Sequence, residues 1–141
     1  MVLAATLLAP FSIAKAQTNL KTQQAEQTAQ RRIVYDLSAA DTAVHDVLIR
    51  QLNNILRGWP DAQIEVVVHG KALSLLVNGK SGKAAAIQQL QARGVVFAAC
   101  ENTMKRTKVE KSQLLQNVLT VPMGIGEIVT RQQEGWSYIK L

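Results

Sequence analysis

The sequence predicts a single α/β domain in which a mostly parallel sheet of about five strands carries helices on both faces. Three observations lead there. Short apolar runs at 33–35, 64–68 and 95–99 alternate with stretches whose apolar residues recur every three or four positions. The connections between these runs are too long for hairpins and long enough for right-handed crossovers. Finally, the 141 residues are 48% hydrophobic, which suffices for one core and not two, and no apolar run approaches the roughly 20 residues of a membrane helix.

Each element has its own signal. Residues 2–14 are apolar over the length of a secretory h-region, and Ala14-Lys15-Ala16 fits the small-x-small rule, so a signal peptide over 1–16 and a periplasmic or otherwise exported chain are expected. An uncleaved anchor or an ordinary N-terminal helix is the alternative. Residues 17–30 are polar and rich in glutamine, cannot offset their ordering entropy, and read as a spacer before a domain over 31–141. Ile33-Val34-Tyr35 is the first strand, after which Asp36, Ser38 or Asp41 can cap a helix. That helix carries Val44, Val47, Leu48, Leu52, Ile55, Leu56 and Trp59 on one apolar face and ends at Gly58 and Pro60.

The β-branched run Ile64-Glu65-Val66-Val67-Val68 reads as a central strand covered on both sides. One or two helical turns follow around Leu73, Leu76 and Val77. After the loop at Asn78-Gly79 comes a helix with Ile87 and Leu90, closed by Gly94. The third strand, 95–99, leads directly into Cys100. A further helix is expected to carry Leu114, Leu115 and Val118, then a short strand over 119–123, a helix near 127–133 after Gly124-Ile125-Gly126, and a closing strand over 137–140.

The candidate chemistry lies at the strand ends. Open parallel sheets hold ligands outside the carboxyl ends of their strands, and Asp36, His69-Gly70, Cys100 and the segment 122–126 fall on that one edge. Cys100 is the only cysteine, so an intramolecular disulfide is excluded, and a thiol in an oxidising compartment is buried, paired between chains, or reactive. A helical turn starting at Cys100, with Lys105, Arg106 and Lys108 following, would favour thiolate; a small buried hydrophobe is the competing reading. His69 is either a base or proton donor at the crevice or a structural histidine, and His45 reads as structural. Asp36 orders its loop or lines the crevice. One cysteine and two distant histidines give no zinc spacing, Gly124-x-Gly126 is too short for a dinucleotide fingerprint, and no nucleophile elbow or phosphate loop occurs. The formal charge of +6 is scattered and aromatics are 4%, which argues against nucleic-acid binding because stacking platforms are missing.

Four segments together resemble one family: Val66-Val67-Val68-His69-Gly70-Lys71-Ala72-Leu73, then Gly94-Val95-Val96-Phe97-Ala98-Ala99-Cys100-Glu101-Asn102-Thr103, then Val121-Pro122-Met123-Gly124-Ile125-Gly126-Glu127, and Gly135-Trp136-Ser137-Tyr138-Ile139-Lys140. In this order and spacing they are similar to the DsrE/DsrF-like proteins, over about residues 31–141. The resemblance implies a flavodoxin-like fold, homotrimers or homohexamers, no cofactor, and a cysteine at the position of Cys100 that carries sulfur as a persulfide between a donor and an acceptor protein. Under that reading Cys100 and His69 are the catalytic pair, and Asn102, Thr103, Gly70, Gly124, Gly126 and Asp36 are the binding residues. If active, the chain is sulfurtransferase-like. The alternative is a non-catalytic oligomeric module that holds a small ligand in the same crevice, with Cys100 structural. No membrane contact beyond the signal segment is expected.

Overall fold

The computed structural model describes residues 30–141, so the expected signal peptide and all but the last residue of the expected spacer lie outside the described residues. Five strands, β1 (Arg32–Leu37), β2 (Gln63–Val68), β3 (Val96–Cys100), β4 (Leu119–Val121) and β5 (Ser137–Lys140), form one sheet in the order β4-β3-β2-β1-β5. Every neighbouring pair is parallel. The helices are α1 (Thr42–Gly58), α2 (Ala84–Ala92), α3 (Glu101–Thr107) and α4 (Gly124–Gln133), with 3-10 turns at Gly70–Leu76 and Lys111–Gln113. The predicted class is therefore the observed one.

The direction in which the chain crosses the sheet decides which face each helix covers. From β1 to β4 it moves one strand at a time the same way, and right-handed crossovers put α1, α2 and α3 on one face. The return from β4 to β5 runs the other way, past β3, β2 and β1, and puts α4 on the opposite face, the one helix there among the described residues. The packing agrees. Leu48 and Leu52 of α1, Ile87 and Leu90 of α2 and Met104 of α3 bury with Tyr35, Val66, Val68 and Phe97 in the main core. Ile128 of α4 packs instead on Val34 and Val67, with Trp136 alongside.

Asp41 is the residue that caps α1, its carboxylate accepting from the Ala43 N–H at 2.8 Å. β2 lies between β1 and β3 as its composition predicts, and five of its six residues are buried. Trp59, expected in the core, is 44% exposed, because α1 ends at Gly58 and the indole falls beyond its last turn, under the Arg31 guanidinium at 4.4 Å. His45 is buried in α1 with Nε2 2.9 Å from the Ala39 carbonyl, a structural contact.

One expected element is absent among the described residues. Leu114, Leu115 and Val118 are not on a helix: Leu114 makes an antiparallel bridge to Val77, Asn117 takes φ 59°, and the segment reaches β4 as irregular chain. Leu114 and Val118 are buried nonetheless. Their apolar spacing reports burial, and an irregular chain pressed against the core satisfies it as well as a helix does. The helix of this crossover comes earlier, at α3, and ends at Lys108 with φ 55°.

Candidate functional site

β3 and β4 are neighbours, yet β3 feeds α3 on one face and β4 feeds α4 on the other. Where adjacent strands send their chains to opposite faces, a crevice opens outside their carboxyl ends. Cys100, the last residue of β3, and Gly124, the first of α4, meet there. The Gly124 N–H donates to Cys100 Sγ at 3.2 Å. The backbone N–H groups of Asn102 and Thr103 and the Thr103 hydroxyl, at the start of α3, also favour the thiolate. Burial pushes the thiol pKa up, these donors together pull it down further, and the net shift is below the ordinary value.

Thr103 is oriented by its own partner. Its Oγ1 accepts from the Gly70 N–H at 3.1 Å, which leaves its hydroxyl proton free to donate elsewhere. Gly70 follows β2 with φ +59°, a left-handed conformation that suits glycine and turns its N–H toward α3. Gly124 is required for a different reason. A Cβ there would stand 3.3 Å from the Cβ of Cys100, the Cβ of His69 and Cγ1 of Val67, so α4 reaches the sheet only without a side chain at this position. Thiol and imidazole leave the backbone as neighbours under that glycine.

Behind His69 is a buried carboxylate. Asp36, at 5% exposure, accepts at Oδ1 from His69 Nε2 at 2.7 Å and at Oδ2 from the Tyr138 hydroxyl at 2.9 Å and the Lys140 ammonium at 3.0 Å. Lys140 also donates to Ser38 Oγ at 3.2 Å. Burial raises the Asp36 pKa, but the bonds from His69, Lys140 and Tyr138 lower it by more, and it stays below the usual carboxylate range. The same hydrogen bond to Asp36 pushes the Tyr138 phenol up.

Of the residues singled out in the sequence, Cys100, His69, Asp36, Thr103, Gly70 and Gly124 come together. Asn102 contributes its backbone N–H while its residue is exposed. Gly126 lies further along α4 against Met123 rather than at the sulfur. Lys105, Arg106 and Lys108 are exposed and make none of the bonds to sulfur, so amides, not the expected cations, stabilise the thiolate. Tyr138 and Lys140 were missed. Their alternate positions in the closing strand put them on one face, but only the β1–β5 pairing, with Asp36 opposite Lys140, brings that face to the carboxylate. A cavity of about 620 Å³ beside α3 is floored by Met104 and Val109 and rimmed by Lys105, Lys108 and Lys111; it reaches Glu101 but not Cys100.

Among curated proteins none matches the chain. Among solved structures, a protein of unknown function from Methanobacterium thermoautotrophicum, MTH1491, shares 31% identity at a TM-score of 0.77, the match covering 79% of this chain and 100% of that one. The ychN protein from E. coli matches at 9% identity and a TM-score of 0.67 over 79% of this chain and 99% of its own. BT1422 of Bacteroides thetaiotaomicron, also of unknown function, matches at 19% identity and a TM-score of 0.63, covering 78% and 94%. The last two share the fold. The model of the DsrE/DsrF-like family matches residues 10–141, nearly the whole chain and all of the site, and the chain belongs to the DsrE/DsrF-like family.

Proposed function

We propose that the chain is a thiol-dependent sulfur carrier in which Cys100 accepts a sulfane sulfur as a persulfide, and that it works after export, with 1–16 removed as a signal peptide. The observation that carries this reading is the Gly124 N–H donated to Cys100 Sγ at 3.2 Å, on a sulfur at the start of α3 whose thiolate the Asn102 and Thr103 amides and the Thr103 hydroxyl also favour. A cysteine that only fills space does not need them. The reaction balances on sulfur alone. The Cys100 thiolate attacks the sulfane sulfur of thiosulfate or a polysulfide, the new S–S bond forms as the donor's S–S bond breaks, and sulfite or a shorter polysulfide leaves with the electron pair.

Copies of the chain are proposed to assemble as a homotrimer or homohexamer, with a sulfur donor or acceptor protein as the further partner. Exposed apolar residues on and beside α4 support self-association.

A second reading has one observation in its favour. Cys100 is only 5% exposed in the single chain, as a packing residue in a ligand-binding module would be. Mass spectrometry of the purified chain after incubation with thiosulfate or polysulfide separates the two. A carrier gains sulfur on Cys100, loses it to cyanide, and gains none as Cys100→Ser. No added sulfur under conditions where a small-molecule thiol is persulfidated supports the binding module.

A further inference from the structure

His69 is bonded asymmetrically. Nε2 is committed to Asp36 at 2.7 Å, and Nδ1 has no hydrogen-bond partner among the described residues. Asp36 cannot turn away to free Nε2, because Tyr138 and Lys140 of β5 hold its other oxygen and the residue is buried. An ionised carboxylate only accepts, so the proton between the two belongs to Nε2, and in the neutral ring the lone pair is on Nδ1. His69 Cβ and Cys100 Cβ both lie 3.3 Å from where a Gly124 Cβ would be, so the two side chains start from neighbouring backbone positions.

We infer that Asp36, held by Tyr138 and Lys140, is a positioning residue for the chemistry of Cys100: it fixes His69 as the Nε2–H tautomer and leaves Nδ1 to take the thiol proton. The inference rests on the sulfur-carrier reading for its reaction. In that reaction the Cys100 S–H proton passes to Nδ1, the thiolate displaces the donor's leaving group from the sulfane sulfur, and the imidazolium returns the proton to the departing sulfite or thiolate. No outside oxidant is needed. Tyr138 and Lys140 thereby acquire a role at the site through the carboxylate, and the closing strand becomes part of it.

A merely structural Asp36 would clamp β5 to β1 and leave the thiol's protonation alone. The titratable groups brought to the ring are Asp36 from β1, Tyr138 and Lys140 from β5 behind it, and Cys100 from β3, while α4 presents the Gly124 backbone. Nitrogen NMR of the histidine-labelled native chain reads the tautomer without any substitution. The Nε2–H form is expected for His69, and a ring protonated on Nδ1 with Nε2 bare overturns the inference. The second measurement is iodoacetamide alkylation of Cys100 across pH in the wild type, Asp36→Asn, His69→Gln and the double variant. Asp36→Asn is expected to slow alkylation about tenfold near neutral pH and to add nothing once His69 is replaced. An unchanged profile in Asp36→Asn, or an equal loss in both backgrounds, overturns it. Alkylation needs no sulfur donor, so a chain that alkylates as expected yet accepts no sulfur refutes the carrier reading and leaves the positioning role standing.

Discussion

At Cys100 two opposing effects meet on one sulfur: burial favours the neutral thiol, and the surrounding donors favour the thiolate and prevail. Thr103 serves both the sulfur and Gly70, so Thr103→Val removes a donor from Sγ and leaves the Gly70 N–H without its acceptor. The expected result is a loss of about 1–3 kcal/mol in urea denaturation and a thiol that titrates higher than in the wild type. The lowered thiol pKa also sets a sign for stability. The native state releases the proton first, so stability relative to Cys100→Ser rises with pH from the native toward the unfolded thiol pKa. Asp36 obeys the same rule at acid pH. Its native pKa is depressed, so its contribution is complete above the ordinary carboxylate value of about 3.9 and is lost as pH falls through the native value. An acid titration of stability should be steeper for the wild type than for Asp36→Asn. Much of this site was legible in the sequence, because strand ends in a parallel sheet share an edge whatever their order, and that puts Asp36, His69 and Cys100 on one edge, while their mutual contacts depend on the strand order. Tyr138 and Lys140 were not legible, because their approach depends on β5 pairing with β1.

α4 is the element on which the site depends, since it brings the Gly124 N–H to the sulfur and, among the described residues, is the one helix on its face of the sheet. Gly124→Ala forces a methyl against three atoms at 3.3 Å and lifts the start of α4 from Cys100. Overpacking of this kind costs about 1–3 kcal/mol, and the alkylation profile should move toward higher pH as the N–H withdraws. The far end of α4 is anchored differently. Arg131 Nε bonds the buried Glu65 of β2 at 2.6 Å and Glu127 at 2.9 Å, while its guanidinium lies 4.8 Å from the Trp136 ring centroid. Burial keeps the Glu65 pKa above its ordinary value despite Arg131, so ionised Glu65 is tolerated only while paired. Arg131→Met should cost about 3 kcal/mol at neutral pH and less as pH falls and Glu65 takes a proton. The sequence revealed most elements because their apolar patterns differ, continuous short runs for the buried strands β1, β2 and β3 and a three-to-four-residue recurrence for α1. It misled at 114–118, where burial without a helix leaves the same apolar spacing, and it placed the start of α4 late, because Gly124-Ile125-Gly126 reads as a turn unless the thiol beneath it is known.

Across the whole molecule, the sheet order leaves the two faces unequally covered. Among the described residues three helices cover one face, while α4 covers the other and Met123, Ile125 and Val129, on and beside it, are exposed, as is Leu119 of the edge strand β4. Among the described residues no helix is long and apolar enough to cross a membrane. In the proposed oligomer this face meets another copy. Ile125→Glu should therefore dissociate it to monomers in light scattering with little loss of fold, because the side chain is 53% exposed; an unchanged mass would remove α4 from the interface, and a monomeric wild type would remove the oligomer. The central claim is that this fold holds Cys100 as an activated thiol rather than as packing, and its most direct test is the pH dependence of iodoacetamide alkylation of the native chain against the same chain unfolded. The predicted result is reaction under native conditions with a midpoint below that of the unfolded thiol. Reaction only upon unfolding, or a native midpoint above the unfolded one, would contradict it.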